Sequence, residues 1–583
     1  MTFSTGEMPR RQFTAGLLIV LAIAALLRGL FPAADPPWNP AVGVVWHDEG
    51  AWVHNARNRA LFGEWSQDKW NPMYIAPVFT GLEFVSFKVF GVGVRQARLV
   101  PELLGWLSVW LLGLGVARVA GRRAGLIAAA LLATDYVYVI WNRTALMEGP
   151  MVAFIVAAWY CYARMDEDPR WGAAASVCAW LAFFTKAAAA FFVAAIGLDA
   201  MLVVIAAGTR GFVSTGPAIR GARWTIAGLL CGGALALAVF VGPNWTDYRF
   251  YNWQMSVTRK PSYDLKSLID RVTWFPILHD LFTRMWFALA VGMTVALGLM
   301  SRWRARPAAE RLLLLWVGLG SIELILHDVG NERRFIFFIP AFVALAAMAL
   351  GRMSLIPESV ARIPRTRALL AAPVILYAAY VVAGGLVRLA FLRQISPSVR
   401  LAAVVAVLAT ILVYATWPRV PRTLARGGWS PASSLAVALL VCAGEIVQYT
   451  QWAVGRTYKN YLASVELGRF LPAGTLVQGK LANGLSLENQ IRPVFVGREF
   501  GNYDDRKTRD DVRYILTYIA PTLGYESQAG NPIIRDVIDA YPDQRIIMTF
   551  DVAETATGHD RAALIDKFGG GRQALPQSRR AKD

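Results

Sequence analysis

Long apolar runs, separated by short polar or basic segments, make up the chain as far as residue 452. A helix that crosses a membrane needs about 20 mostly apolar residues to span a hydrocarbon layer about 30 Å thick. Runs of this kind predict thirteen crossing helices, near residues 14–31, 99–117, 125–141, 150–164, 172–185, 187–206, 224–242, 283–301, 312–327, 335–350, 369–390, 400–417 and 431–452.

A further apolar run, at 72–93, is predicted to lie along the outer membrane surface. It contains two prolines together with Glu83 and Lys88, whose charges are costly to place in hydrocarbon. If this run crossed, the basic loop after the helix at 99–117 would lie outside, against the tendency of Arg and Lys to stay in the cytoplasm. We therefore expect an interfacial helix here.

The arginines predict the side of the membrane on which each loop lies. Arg10 and Arg11 precede the first apolar run, which no small-residue cleavage site follows, so a retained helix with a cytoplasmic N-terminus is expected. Thirteen crossings then put the C-terminus outside. Arg388, Arg393 and Arg400 fall in an outer loop and break the rule. The basic loops expected in the cytoplasm contain Arg118, Arg122 and Arg123; Arg210, Arg220 and Arg223; Arg302, Arg304, Arg306 and Arg311; Arg352, Arg362, Arg365 and Arg367; and Arg419, Arg422 and Arg426.

The composition changes after residue 452, where charged and polar residues surround short strand-like runs. We therefore predict a polytopic α-helical membrane domain at 1–452 and an α/β domain outside the membrane at 453–568. The last stretch, 569–583, is rich in Gly, Arg and Lys and is predicted to be disordered. The strand-like runs lie at 475–477, 493–496, 512–518 and 545–550.

Composition agrees with a membrane protein, since 56% of the residues are hydrophobic and 17% are charged. The net charge of +19 would suggest a nucleic-acid partner in a soluble protein. Here the arginines lie in loops between apolar runs and serve as orientation signals, so no nucleic-acid partner is expected. The cysteines lack the paired spacing of a metal site and are interpreted as small core residues without disulfides; they are Cys161, Cys178, Cys231 and Cys442.

The polar residues that this topology places outside include both carboxylates and cations. Asp48 and Glu49 follow the first helix, and Glu148 closes the second outer loop. These acids are the candidate catalytic residues. The candidate cations are Lys69, Lys186, Arg259, Lys260, Arg333 and Arg334.

The order of these residues resembles that of polyprenyl-phosphate-sugar-dependent membrane glycosyltransferases of the GT-C fold, which include the protein O-mannosyltransferases and the lipid A aminoarabinose transferase. The resemblance covers about residues 1–350 and rests on an acidic dipeptide, a Lys followed by a Pro that opens an amphipathic run, a Gly-Arg-Arg turn, an acid and a Thr-Lys turn. Two positions depart from the family pattern. Glu148 stands where Asp is commoner, and Trp-Asn-Pro follows Lys69 in place of Pro-Pro.

The resemblance implies an inverting transfer of a sugar from a polyprenyl phosphate, such as undecaprenyl phosphate, to a hydroxyl of a protein, lipid or envelope glycan. In-line attack at the anomeric carbon requires a base for the hydroxyl proton and cations for the departing phosphate. Asp48 is the expected base, and Glu49 and Glu148 are expected to position the acceptor or to raise the pKa of Asp48. The six cations are the expected phosphate ligands. The implied location is the outer face of a bacterial plasma membrane.

Each assignment has a structural alternative. Asp48 can be a solvated loop acid, Glu148 can interact with a helix dipole, and the lysines can be interface anchors. A divalent metal between Asp48 and Glu148 is a further alternative, which the nearby cations make redundant, and no cofactor is expected. For the whole protein the alternatives are a lipid or lipid-linked-sugar transporter and a membrane-anchored binding protein. Transporters place ionisable groups near the membrane midplane, whereas these acids lie at helix ends and in outer loops, which favours the enzyme.

Overall fold

The computed structural model describes residues 8–37, 46–209, 211–257, 262–275, 284–327, 332–389, 398–426, 430–497, 501–520, 532–553 and 560–569. In these ranges the chain is mostly helical, with one five-stranded sheet towards the C-terminal end.

The helices of the described part are numbered α1 to α25 in chain order. They are Arg10–Gly29, Trp46–Trp52, His54–Phe62, Pro77–Phe90, Val94–Ala120, Arg122–Thr134, Tyr136–Trp141, Glu148–Tyr162, Arg170–Thr185, Ala190–Ile205, Gly216–Ala236, Trp245–Val257, Leu265–Trp274, Trp286–Met300, Ala308–His327, Phe338–Arg352, Glu358–Ala361, Arg365–Ala368, Ala372–Leu389, Val399–Ala415, Arg419–Arg426, Pro431–Val454, Lys459–Phe470, Lys480–Gly484 and Pro532–Asp539.

Every predicted crossing segment contains a helix, and several segments are less regular than predicted. The segment at 125–141 breaks between α6 and α7, because the Asp135 carboxylate accepts a hydrogen bond from the Tyr138 backbone N–H at 2.8 Å and starts a new helix. The segment at 224–242 ends in a π-helix at Leu237–Val241. The predicted interfacial run becomes a 3₁₀ turn at Pro72–Tyr74 followed by α4.

Length and composition identify the chain as a multi-pass membrane protein. The described residues contain six helices that are long and apolar enough to cross a membrane, or seven if the bent pair Val399–Ala415 and Arg419–Ala425 is one span. Other apolar helices, such as α14 and α16, are shorter than this criterion requires. The predicted count of thirteen crossings is not confirmed and stays a prediction.

Helix α16 lies at the centre of the helical part. It packs against α5, α6, α14, α15 and α22, and its residues from Phe338 to Leu350 are all buried. A helix that is apolar on every side is stable only when other helices surround it. The turn that leads into α16 is therefore held in place by the buried helix that follows it. This turn carries Arg333 and Arg334.

The C-terminal sheet has the strand order β2-β1-β3-β5-β4. Strands β1 and β2 and strands β1 and β3 pair in parallel, whereas β5 pairs antiparallel with both β3 and β4. The fold class predicted for this part, α/β, is confirmed, but β5 was missed. The strands are Leu476–Gln478, Arg492–Val494, Tyr514–Ala520, Arg545–Val552 and Asp560–Asp566.

All four cysteines are free, as expected. Cys161 and Cys442 are buried, but Cys231 is exposed on the surface of α11, so its interpretation as a core residue was wrong. An exposed thiol on an apolar membrane helix is compatible with lipid contact, because cysteine behaves as a small hydrophobe.

Candidate active site

The acidic dipeptide lies on α2, a helix of seven residues in the first outer loop. Asp48 and Glu49 occupy its first turn, where negative charge is favourable, yet both are almost fully buried. Buried carboxylates need partners, and the two find different ones.

Asp48 begins a chain of ion pairs that joins four distant parts of the sequence. Its Oδ2 lies 3.0 Å from Nη1 of Arg333, and Nε of Arg333 lies 3.2 Å from Oε1 of Glu148. The same Glu148 oxygen accepts a hydrogen bond from Nζ of Lys186 at 2.7 Å. Charges of opposite sign thus alternate along a buried line, in which each carboxylate touches at least one cation. We call Asp48, Arg333, Glu148 and Lys186 the ion-pair chain.

Local structure holds each member of this chain at the end of a helix. Glu148 is the first residue of α8, and Lys186 stands in extended conformation between α9 and a 3₁₀ turn at Ala187–Ala189. Arg333 lies in a 3₁₀ turn shortly before the central helix α16. Side chains at such ends are held by the surrounding helices and still face the membrane surface that the topology predicts as outer.

The electrostatics of the chain keep Glu148 ionised and weaken the charge of Lys186. Burial raises the pKa of Glu148, but Lys186 and Arg333 outweigh burial, so that its pKa lies below the ordinary value. For Lys186 burial dominates over the attraction of Glu148, and the nearby charges of Arg334 and Arg333 act in the same direction as burial. The result is a pKa of about 8. Lys186 is therefore a cation that titrates close to neutral pH.

Glu49 is separate from the ion-pair chain. Its two oxygens accept hydrogen bonds from Nε and Nη2 of Arg98 at 2.8 and 2.7 Å, and Oε1 also accepts one from the Ala145 backbone N–H at 2.7 Å. A bidentate pair of this kind is directional and strong. Glu49 thus connects α2 to α5 and to the loop that carries Glu148. The same Arg98 donates hydrogen bonds to the carbonyls of Pro32 and Ala34, and these bonds restrain the segment that follows α1.

Lys69 is paired with a carboxylate outside the ion-pair chain. Its side chain is 60% exposed, and Nζ stands 3.6 Å from Oδ2 of Asp505 in the C-terminal domain. Its neighbour Trp70 donates a hydrogen bond from Nε1 to the carbonyl of Ala51 at 2.8 Å, so the segment is attached to α2. Tyr251 of α12 donates from its hydroxyl to the carbonyl of Lys69. The segment therefore connects α2, α12 and the C-terminal domain.

The remaining predicted cations differ in what the structure describes. Arg334 follows Arg333 and acts electrostatically on Lys186. Arg259 and Lys260 lie outside the described residues. In α12, Trp245, Phe250 and Trp253 are exposed, and exposed aromatic residues of this kind are typical of a membrane interface.

Several buried polar residues between α1 and α4 make contacts that sequence reasoning missed. Arg57 is fully buried and donates to the carbonyls of Ser486, Asn489 and Ile491 at 2.9 to 3.0 Å. His54 is also fully buried, and its Nδ1 accepts a hydrogen bond from Nδ2 of Asn483 at 3.0 Å. The only available signal was the density of polar residues in this loop, since their partners are more than four hundred positions away in sequence.

The part of the chain that the structure describes contains no group of three or more His, Cys, Asp and Glu residues that could hold a metal ion. Asp48 and Glu148 are joined through Arg333, whose guanidinium lies between the two carboxylates.

Comparisons with known proteins agree with this architecture. The family model described as dolichyl-phosphate-mannose-protein mannosyltransferase matches residues 76–240, which include α4 to α11, Glu148 and Lys186. The crystal structure of ArnT from Cupriavidus metallidurans in the apo state superposes with a TM-score of 0.53 at 16% identity. It covers 94% of this chain and 98% of that chain. The chain has the GT-C fold. The predicted resemblance to GT-C membrane glycosyltransferases is thereby confirmed for the fold.

Two further GT-C structures are more distant. The oligosaccharyltransferase of Archaeoglobus fulgidus in its apo form matches with a TM-score of 0.45 at 14% identity, over 87% of this chain and 70% of that one. The arabinosyltransferase EmbB from Mycobacterium smegmatis matches with a TM-score of 0.43 at 16% identity, over 76% of this chain and 42% of that one. No curated protein sequence matches this chain.

Proposed function

We propose that this GT-C protein is an inverting glycosyltransferase that moves a sugar from a polyprenyl phosphate to an acceptor hydroxyl at the outer face of the plasma membrane. The observation that carries the proposal is the ion-pair chain, which holds two carboxylates and two cations side by side at the ends of helices. The family match over 76–240 supports the same class of reaction, because that family is described as using a lipid-phosphate-linked mannose.

In the proposed reaction the acceptor oxygen attacks the anomeric carbon of the donor sugar from the side opposite the phosphate. A new carbon–oxygen bond forms while the bond between the anomeric carbon and the phosphate oxygen breaks, and the phosphate keeps the electron pair. Asp48 takes the proton of the acceptor hydroxyl. Attack from the opposite side inverts the configuration at the anomeric carbon.

Arg333 and Lys186 stabilise the phosphate as its negative charge grows. Arg333 has five N–H donors in a planar fork and already contacts two carboxylates, so it can bind phosphate oxygens while it retains one carboxylate contact. When the phosphate takes over the contact that Asp48 makes in the free protein, the carboxylate of Asp48 becomes available as the base. Lys186 adds a compact charge on the other side of Glu148. These cations neutralise the phosphate charge, and the proposal needs no metal ion.

Glu148 is assigned to the acceptor hydroxyl as well as to the two cations. Its Oε1 is used by Arg333 and Lys186, whereas its Oε2 is buried and makes no hydrogen bond within the described residues. A buried carboxylate oxygen without a partner is costly, and a hydroxyl that donates to it relieves this cost. Glu49, whose oxygens are occupied by Arg98 and Ala145, instead positions α2 and therefore Asp48.

The donor is proposed to be an undecaprenyl-type phosphate sugar, and the acceptor a protein, a lipid or an envelope glycan. ArnT from Cupriavidus metallidurans has a structure with undecaprenyl phosphate bound, and the Archaeoglobus fulgidus oligosaccharyltransferase has structures with an acceptor peptide and with dolichol phosphate. Those ligands belong to those proteins. For this chain the donor class is supported by the pairing of Arg333 and Lys186 with carboxylates at helix ends and by the family match.

The test measures the release of free polyprenyl phosphate from a panel of synthetic polyprenyl-phosphate sugars. The purified protein is supplied with membrane extract as the source of acceptors. Asp48→Asn keeps the size of the side chain and removes the base, so it is expected to abolish release while donor binding persists. Glu64→Gln, at an exposed carboxylate of the same loop, is the matched control and is expected to behave as wild type. Turnover by Asp48→Asn at the wild-type rate would remove Asp48 from the mechanism.

A transporter is the alternative function, and the same preparation tests it. Folded wild-type protein that releases no polyprenyl phosphate from any donor, even with crude membrane acceptors, favours the transporter. Movement of a fluorescent lipid-linked sugar across reconstituted vesicles would then be measured. The position of the ion-pair chain at helix ends favours the enzyme.

A further inference from the structure

One asparagine of the C-terminal domain, Asn502, forms hydrogen bonds with the segment that carries Lys69. Asn502 accepts a hydrogen bond on Oδ1 from the Lys69 backbone N–H at 3.2 Å. Its Nδ2 donates to Oδ2 of Asp68 at 3.1 Å and to the carbonyl of Phe495 at 2.6 Å. One buried side chain thereby fixes two consecutive residues of the first outer loop.

Asp68 completes this junction from the other side. Its Oδ2 also accepts from the Phe495 backbone N–H at 3.0 Å, and its Oδ1 accepts from the Trp70 backbone N–H at 3.0 Å. The ring of Trp70 stacks on Phe495 with centroids 4.6 Å apart. Residues on both sides of Lys69 are therefore held by the C-terminal domain, and these contacts restrain the backbone of Lys69.

The backbone of the C-terminal domain is shaped for this close contact. Gly501 has a φ of +142°, and a Cβ there would stand 2.6 Å from Cβ of Lys69. Asn502 has a φ of +52°, in the left-handed region that Asn tolerates better than most residues. A strained residue next to a glycine with no room for a side chain indicates that this contact is specific.

The side chain of Lys69 meets a carboxylate of the same loop of the C-terminal domain. Oδ2 of Asp505 stands 3.6 Å from Nζ of Lys69 and 3.7 Å from Nη1 of Arg509, and all three side chains are partly exposed. Ion pairs that water reaches contribute little to stability, so this contact is easily exchanged. A phosphate group that approached Lys69 would compete with Asp505 for the ammonium group.

We propose that the C-terminal domain forms part of the donor-phosphate site: Asn502 positions Lys69, and Asp505 competes with the donor phosphate for its ammonium group. The inference rests on the proposed function, and it adds Lys69 to Arg333 and Lys186 as a ligand of the donor phosphate. Asn502 acts through Lys69 and is a positioning residue. Asp505 lowers donor affinity in the free protein and makes release of the product, a polyprenyl phosphate, easier.

The experiment compares donor KM and kcat for full-length variants with the direct binding of undecaprenyl phosphate. Asp505→Asn is expected to lower the donor KM about two- to fivefold and to tighten undecaprenyl phosphate binding by a similar factor. Asp504→Asn, at the exposed neighbouring carboxylate, is the matched control and should change neither value. In a Lys69→Met background Asp505→Asn should have no further effect, because its effect passes through Lys69.

Two variants of Asn502 test the positioning role. Asn502→Gly keeps the backbone conformation and removes the amide, and Asn502→Asp keeps the acceptor for Lys69 but brings a second carboxylate to Asp68. Both are expected to raise the donor KM at least tenfold, with kcat at saturating donor within about twofold of wild type. A merely structural role would instead lower kcat and thermal stability together and leave KM unchanged.

The outcomes separate this inference from the proposed function. A wild-type protein that transfers sugar, combined with equal behaviour of Asp505→Asn and Asp504→Asn, overturns the inference and leaves the function intact. A wild-type protein that transfers nothing contradicts the function. The binding of undecaprenyl phosphate then decides the inference by itself, and an affinity unchanged by Asp505→Asn rejects it.

Discussion

Arg333 is the residue on which the candidate site depends. It is almost fully buried and contacts Asp48 and Glu148 at once, so it separates two carboxylates that would otherwise repel each other. No pattern in the sequence distinguishes it from Arg334, its neighbour. The tertiary structure decides that Arg333 bridges Asp48 and Glu148, whereas Arg334 acts electrostatically on Lys186.

Replacement of Arg333 by lysine tests this bridging role. A lysine carries the same charge on a single nitrogen and cannot present two separate donors to Asp48 and Glu148. We expect Arg333→Lys to lower kcat/KM by about 100-fold, a loss of roughly 2.7 kcal/mol of transition-state stabilisation. Arg334→Lys is the matched control and should cost less than tenfold. Equal losses in the two variants would contradict the bridging role.

The ionisation of Lys186 is expected to set the pH above which donor binding weakens. Since its pKa is about 8 in the free protein, it is mostly charged at pH 7 and mostly neutral at pH 9. Attraction between Lys186 and the donor phosphate is present below that pKa and is lost as the pH rises through it, so we expect the donor KM to increase about tenfold between pH 7 and 9. Lys186→Arg stays charged over this range and should remove the dependence. An identical pH profile in both proteins would show that another group is responsible.

At the scale of elements, the contact between α2 and α24 couples the acidic dipeptide to the C-terminal domain. Gly50 lies on α2, directly after Glu49, and a Cβ at this position would stand 1.8 Å from the carbonyl oxygen of Asn483. Backbone atoms cannot make room as a flexible side chain can. Glycine at position 50 is therefore required by the close approach of two elements, although α2 itself would be more stable with alanine.

Gly50→Ala is expected to displace α2 and with it Asp48. Overpacking of this kind costs about 1–3 kcal/mol of unfolding free energy, and we expect activity to fall at least tenfold, because a small misplacement of the base is costly. Gly81→Ala provides the control, since Gly81 lies within α4 and a Cβ there meets nothing within 4 Å. That variant should be stabilised, by about 1 kcal/mol at most. The measurements are thermal unfolding in detergent and donor turnover.

At the scale of the whole molecule, hydrogen bonds place the C-terminal domain on the same side of the membrane as the loop that carries Asp48. Arg57 and Asp68 belong to the segment between α1 and α4, and both bond to residues beyond 480, so this segment and the domain must face one compartment. This contact is independent of the number of crossings. The side of the membrane on which they lie, and the count of thirteen, stay predictions.

Cysteine labelling tests the orientation. In a variant without native cysteines, Arg469→Cys on α23 is expected to react with an impermeant thiol reagent in intact cells, because α23 precedes the sheet and the residue is exposed. Arg302→Cys, in a loop predicted to be cytoplasmic, should react only after the membrane is permeabilised. Protection of residue 469 in intact cells would place the C-terminal domain in the cytoplasm and overturn the topology.

The sequence by itself determined the class of protein, the positions of the helices and the nature of the C-terminal domain. Burial in a membrane imposes apolar runs of fixed length, and a sheet imposes short β-branched runs, so both signals are local. The break between α6 and α7 was not predicted, because Asp135 caps a helix inside an otherwise apolar run. Strand β5 escaped because its sequence, Asp560–Asp566, contains two alanines and three charged residues and becomes a strand only between β3 and β4.

Tertiary structure alone decided how the candidate residues are grouped. Sequence reasoning placed Asp48, Glu49 and Glu148 together as acids, whereas the fold separates Glu49, which Arg98 holds, from the two acids that share Arg333. It likewise moved Lys69 to the surface of the C-terminal domain. Charge and spacing fix only which residues are available. The partner of a buried charge is set by contacts between segments far apart in the chain, because a buried charge is stable only beside the partner that packing brings to it.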